Sequence, residues 1–195
     1  MNEHQQRLFI AIEVPVKVKT NLAALQTKLQ SALPERAVTW TKPEHLHLTL
    51  KFLGNFDVSR IDDLSDRLDH VCQEFPTLKL RAAGVGTFPN LRLPRVIWAG
   101  LTDSGGQLIA LQHGIEAAAS EFTREEPDKN FHAHVTLGRA KHFTRSQLKL
   151  ASHSLAEVAE TSFGEWVATD VELIQSQLSS QGPKHTTIRK FSLQN

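Results

Sequence analysis

Short, nearly continuous apolar runs alternate along the chain with longer stretches in which apolar residues return every three or four positions. Leu8 to Val14 reads as a buried strand. After Pro15, the spacing of Val18, Leu22, Leu25, Leu29 and Leu33 predicts a helix that Pro34 closes. His45 to Phe52, HLHLTLKF, alternates polar and apolar and predicts a strand. Gly54 and Asn55 are expected to turn the chain into a helix carrying Ile61, Leu64, Leu68 and Val71, and Thr77 to Arg81 returns to strand. The second half follows the same order, with a strand at Arg95 to Leu101, a turn at Ser104 to Gly106, and a helix bearing Leu108, Leu111, Ile115 and Phe122. A strand from His132 to Leu137 comes next, then a helix from about Ser146 capped by Thr144, and strands near Phe163 to Ser176 and Thr186 to Leu193.

The recurrence extends to residues. RLFIA at Arg7 and RVIWA at Arg95 begin 88 positions apart, and HLTL at His47 and HVTL at His134 begin 87 apart. This predicts an α+β fold of two pseudo-symmetric β-α-β-α-β lobes, roughly residues 1–89 and 90–195, whose antiparallel sheets flank a central cleft. No Pro-, Ser- or Gly-rich linker separates the halves, and Phe88 to Pro94 reads as an ordered loop, so residues 1–195 are expected to form one domain.

Composition narrows the function. With 22 Lys and Arg against 21 Asp and Glu, the net charge of +1 excludes a protein that holds long nucleic acid by bulk electrostatics. The first apolar stretch is too short for a signal-peptide core or a membrane span, so a cytoplasmic monomer without a membrane partner is expected. The single cysteine, Cys72, has no partner for a disulfide or a CxxC site and reads as a small apolar helix residue. Ten histidines beside one Met and no Tyr are unusual, and four of them form two HxH pairs.

Strand alternation puts His45, His47 and Thr49 on one face, and likewise His132, His134 and Thr136. A His and Thr face suits a cleft that holds an anion better than it suits packing. Shuffling a chain of this composition yields roughly 0.1 copies of HxTL, so two at equivalent points of a repeat carry weight. Opening a cyclic phosphate needs a base for the attacking water and an acid for the departing ribose oxygen, and imidazole serves as either near neutrality. Each Thr hydroxyl can donate to a nonbridging phosphate oxygen without a metal. Five residues past the respective histidines stand Phe52 and Arg139, an aromatic and a guanidinium that could clamp a base. A competing reading gathers His45, His47, His132 and His134 around zinc, but the next residues on that face are Thr rather than carboxylates. His45 and His132 otherwise read as residues supporting the pair or opening each strand, and His113, His142, His153 and His185 as ordinary. Ser104 to Gly106 lacks the rest of a phosphate-binding loop and reads as a turn.

The stretches RLFIAIEVP, HLHLTLKFLG, GVGTFPN, PRVIWAG, FHAHVTLGR and ELIQSQLSSQGPKHTTIRKFSL together resemble the 2H phosphoesterases, specifically the bacterial RNA 2',3'-cyclic phosphodiesterases also called 2'-5' RNA ligases. The resemblance spans nearly the whole chain. It implies hydrolysis of a 2',3'-cyclic phosphate at an RNA 3' end, tRNA halves among them, or on a nucleotide, to a 2'-phosphomonoester. It also implies a capacity for 2'-5' joining to a 5'-hydroxyl. It makes His47 the proton donor and His134 the proton acceptor, places Thr49, Thr136 and Arg139 at substrate-binding positions, and implies no metal and no cofactor. His185 stands where the family carries an aromatic. Two rival functions share these residues: a related phosphodiesterase for small cyclic nucleotides or 2'-5' oligonucleotides, and a non-catalytic RNA-end binding module.

Overall fold

A computed structural model describes residues 4–141, 143–180 and 182–194. Nine strands and four helices follow one another as β1 (Gln5–Glu13), α1 (Val16–Ala32), β2 (Val38–Trp40), β3 (His47–Asp57), α2 (Ile61–Cys72), β4 (Leu78–Phe88), β5 (Val96–Asp103), α3 (Leu108–Ala119), β6 (His134–Ala140), α4 (Arg145–Ala156), β7 (Ser162–Ala168), β8 (Asp170–Ser179) and β9 (Gly182–Ser192). The strands form one antiparallel sheet in the order β7-β4-β5-β6-β3-β1-β8-β9, with β2 added on β6.

Two four-stranded halves meet where β3 and β6 touch, through the single pair Leu48 and Val135. The first half is β3-β1-β8-β9 and the second β6-β5-β4-β7, so each draws on both halves of the chain: β4 crosses to pair β5, and β8 returns to pair β1. The β-α-β-α-β order is present in each repeat, but strands are exchanged between the lobes: β4 of the first repeat joins the second half of the sheet, and β8 and β9 of the second repeat join the first, while β7 stays beside β4.

The register also corrects the repeat length. Ala11 lies opposite Thr49 and Phe9 opposite Phe52, while Trp98 lies opposite Thr136 and Val96 opposite Arg139. Both sheets therefore repeat at 87 residues, and the alignment of RLFIA with RVIWA at 88 is off by one, which in a strand exchanges the faces. Packing agrees: Ile10, Ile12 and Val14 share the main core with Ile97, Ala99 and Leu101, while Phe9, Ala11 and Ile174 form a separate small cluster.

The helices pack against the sheet and each other, α3 on β3, α1 on β7 and α4, and α2 on β9 and α3. Leu22, Leu25 and Leu29 of α1 and Leu108, Leu111 and Ile115 of α3 supply the buried stripes. Thr144 caps α4 as expected, accepting from the Gln147 N–H while the Gln147 side chain accepts from the Thr144 N–H.

Other boundaries differ from expectation. Gly54 (φ 65°) does not turn the chain: it lies in a strand irregularity, and β3 runs on to Asp57 before a 3-10 turn leads into α2. Phe163 to Ser176 divides at Thr169 into β7 and β8, a corner without Gly or Pro to signal it. His45 belongs to a 3-10 turn, Pro43–His45, and His132 precedes β6, so neither shares a strand face with its neighbouring histidine. Cys72 is buried and apolar in surroundings, its thiol pushed up to about 12 by burial.

Candidate functional site

His47 and His134 open β3 and β6 beside the junction of the two halves. Extending the antiparallel register one residue either way from Leu48 and Val135 sets Thr49 opposite His134 and His47 opposite Thr136. Each histidine thus faces the other lobe's threonine. All four line a cavity of about 510 Å³, together with Phe52 and Arg139.

The imidazoles are tethered alike. His47 Nδ1 lies 2.7 Å from the carbonyl of His45, and His134 Nδ1 lies 2.6 Å from that of His132. A carbonyl only accepts, so in both rings Nδ1 carries the proton and Nε2 is the free nitrogen, basic when the ring is neutral and acidic when it is charged. The tether is thus supplied by the backbone of His45 and of His132, two positions before each histidine, and not by their rings. Phe9 stacks on His47 at 4.8 Å between ring centroids, and Phe88 meets His134 edge-on at 5.0 Å. Burial, and then the neighbouring His185, push His47 down to about 4; burial also lowers His134. In the free protein at neutral pH both rings are uncharged.

Plain alternation from His47 would place Lys51 in the cleft and Phe52 in the core. The opposite is found: Lys51 is 5% exposed and Phe52 is 52% exposed. A bulge is responsible, since Ala11 pairs Thr49 but Ile10 pairs Lys51, leaving Leu50 unopposed; in the second lobe Trp98 pairs Thr136 and Ile97 pairs Gly138, leaving Leu137 unopposed. These bulges, 87 residues apart, turn Phe52 and Arg139 toward the cavity.

Each unopposed carbonyl has a buried glutamine as donor. Gln26 Nε2 of α1 donates to Leu137 O at 2.8 Å and to Thr41 O at 2.7 Å, and Gln112 Nε2 of α3 donates to Leu50 O at 3.3 Å. Gln26 is 4% and Gln112 0% exposed. The reading of the sequence passes over both, although a polar residue four positions after Leu22 or Leu108 within an apolar helical stripe is a visible signal.

The cavity lining includes three cations, Arg7, Lys42 and Arg139, and no Asp or Glu, although acids and bases nearly balance in the whole chain. Among the described residues, none of the three side chains makes an ion pair or hydrogen bond. His185 corrects the expectation that it is ordinary: it lines the cavity from β9, its Nδ1 is 3.2 Å from His45 Nδ1, and its ring meets Phe9 and His47 at 5.0 and 5.5 Å. His132 instead packs on Trp98 at 4.5 Å and does not line the cavity. The four HxH histidines are therefore not gathered around one point, and no group of three or more His, Cys, Asp or Glu among the described residues is placed to hold a metal ion. His113 lies on α3, His153 pairs with Glu157 on the surface, and His142 is outside the described residues.

Comparison with known proteins places this geometry. The LigT-like phosphoesterase family matches residues 12–98 and 101–185. The chain belongs to that family. An Archaeoglobus fulgidus RNA 2',3'-cyclic phosphodiesterase is 32% identical over 95% of this chain and 99% of its own length, and a Thermus thermophilus protein of the same name is 34% identical over 96% and 90%. The crystal structure of TT0787 of Thermus thermophilus matches with TM-score 0.78 at 32% identity, covering 97% of this chain and 98% of that one. That of E. coli LigT with 3'-AMP matches with TM-score 0.77 at 23% identity over 98% and 99%, a likeness of fold. The expected 2H phosphoesterase architecture is thus found in this LigT-like chain. No helix among the described residues is long and apolar enough to cross a membrane.

Proposed function

We propose that this protein hydrolyses the 2',3'-cyclic phosphate of RNA 3' ends to a 2'-phosphomonoester, with His47 as proton donor and His134 as proton acceptor and without a metal. The observation that carries this reading is the pair of Nδ1-tethered histidines, one from each lobe, each opposite the other lobe's threonine in a cleft free of carboxylates. The relatives named RNA 2',3'-cyclic phosphodiesterase support the same substrate.

His134 Nε2 takes a proton from water as the water oxygen bonds to phosphorus. The bond from phosphorus to O3' breaks, and His47 Nε2 gives its proton to that oxygen. Thr49 and Thr136 donate to the nonbridging oxygens, where negative charge builds, and Arg139 neutralises the phosphate. Phe52, exposed on the opposite lobe, is the platform for the terminal base. A ribose 5'-hydroxyl in water's place makes the 2'-5' diester by the same two proton transfers. The cleft holds cations and neutral imidazoles, so the phosphate is itself the missing counter-charge. Its arrival raises the proton affinity of His47 and supplies the acid form.

Turnover of a short RNA ending in a 2',3'-cyclic phosphate, measured in EDTA with the product's phosphate position assigned, tests this. Release of 2'-phosphate is expected, lost by about 10²- to 10⁴-fold in His47→Ala and in His134→Ala. Activity abolished by EDTA would overturn the metal-free mechanism, and binding without turnover would overturn the enzyme.

A further inference from the structure

One phosphate and one base occupy the residues assigned so far, and Arg7 is left unused. Arg7 precedes Phe9 by two positions on β1, so alternation sets it on the same, cleft-facing side, and its exposed side chain lines the cavity. Along that face the order outward from the junction is Ala11 opposite Thr49, Phe9 opposite Phe52, then Arg7 opposite Asn55. The stretch from Ala11 to Arg7 spans about 13 Å of strand. Arg7 therefore stands beyond the aromatic pair along β1, on the side away from the junction that holds His47 and His134, and its side chain lines the cavity from there. It has no ion pair or hydrogen bond among the described residues, and no carboxylate lines the cavity to neutralise it. Leu178, 70% exposed, lines the same cavity from β8, so the wall near this cation offers apolar surface to a further nucleoside.

We propose that Arg7 binds the phosphodiester joining the cyclic end to the nucleotide before it, so that the cleft takes an oligonucleotide end in preference to a cyclic mononucleotide. This deepens the function proposed above and rests on it. A planar fork of donors with no partner of its own suits a phosphodiester, whose two nonbridging oxygens can accept in parallel.

The test compares kcat/KM of the whole protein and of Arg7→Gln on three substrates: a nucleoside 2',3'-cyclic phosphate, a dinucleotide with the same cyclic end, and that dinucleotide with an uncharged methylphosphonate linkage. The wild type is expected to prefer the native dinucleotide over the mononucleotide by about tenfold to a hundredfold, the span of one charge-assisted contact. Either the neutral linkage or Arg7→Gln should remove that preference, the two together should remove no more, and Arg7→Lys should restore part of it. Equal turnover of native and methylphosphonate dinucleotides by the wild type would overturn the proposal, as would a full dinucleotide preference in Arg7→Gln. If the wild type opens none of the three, the phosphodiesterase reading falls and takes this one with it; if it opens all three alike, only the role of Arg7 falls.

Discussion

In the first lobe the bulged strand turns Lys51 inward to an ion pair with Glu116 and to the carbonyls of Glu125 and Glu126, each at 3.1 Å; in the second lobe the same position is Gly138. A side chain there has no room, because a Cβ on Gly138 would meet Val38 Cγ1 at 2.7 Å and Trp40 at 3.1 Å. The rings around the histidines differ as well. His47 stands against Phe9 and His185, with His45 packed on His185 in turn, whereas His134 stands among Phe88, Trp98 and His132. What the lobes share is the histidine with its backbone tether, the threonine, the bulge and the glutamine beneath it. The geometry that presents two imidazoles and two hydroxyls to one point is thus kept twice, while the means of supporting it is local to each lobe.

The most severe way to break that comparison is to remove a histidine. Either alanine variant should lose about 10²- to 10⁴-fold in kcat, and the double variant should lose little more, because acid and base act as a unit. Multiplying losses would mean that the lobes work independently. The supports should fail differently. Lys51→Met leaves the half-buried Glu116 with only the Gln112 Nε2 donor and is expected to cost about 2–3 kcal/mol in urea unfolding, recovered in part by Lys51→Met with Glu116→Leu. Gly138→Ala crowds β2 instead and should cost about 1–3 kcal/mol, with no second substitution of a charge able to relieve it. Equal behaviour of the two positions would contradict the asymmetry.

Replacing the glutamines probes what the lobes have in common. Gln112→Leu removes the side-chain donor to Leu50 O, and Gln26→Leu removes those to Thr41 O and Leu137 O, leaving Leu137 O the Thr41 N–H alone, each at about 1–3 kcal/mol of stability. The functional effects should also be alike: KM rises more than kcat falls, because the bulge aims Arg139 and Phe52 rather than the histidines. A loss confined to kcat would show that the bulges hold the reacting groups instead.

These supports explain what is and is not legible in the sequence. His47, Thr49, His134 and Thr136 can be read because alternation and an 87-residue repeat are local patterns that survive folding. Phe52 and Arg139 emerge from their matched positions, against the alternation, since the bulge at Leu50 has no Gly or Pro beside it and the one at Leu137 is marked only by Gly138, in one lobe alone. The helices are legible from their apolar stripes. The exchange of β4 and β8 is not, because pairing between strands far apart in sequence is decided by the whole core rather than by either segment. His185 escapes for the same reason: it reaches His45 only through the pairing of β8 and β9 beside β1.

His185 also gives the smallest effect and the sharpest comparison between the lobes. In the productive free protein His47 is protonated and His134 neutral. Since His47 is held down to about 4, that form becomes scarcer tenfold with each pH unit on the alkaline side, and kcat/KM should fall steadily from about pH 6 to 8. The bound phosphate raises the proton affinity of His47, so kcat should hold to higher pH than kcat/KM. Burial is the largest cause of the depression, the neighbouring His185 the next, with Lys19 and His45 acting in the same direction. His185 is itself held down to about 4 by burial, so it repels the His47 imidazolium only where both rings are charged: His185→Phe should raise kcat/KM modestly at about pH 4 to 5 and leave the fall from about pH 6 to 8 unchanged. Trp98→Phe, the ring change in the second lobe, should leave the slope unaltered. A merely structural His185 predicts the opposite sign, a loss at every pH, and a kcat/KM flat from about pH 6 to 8 in the wild type would remove His47 as the acid.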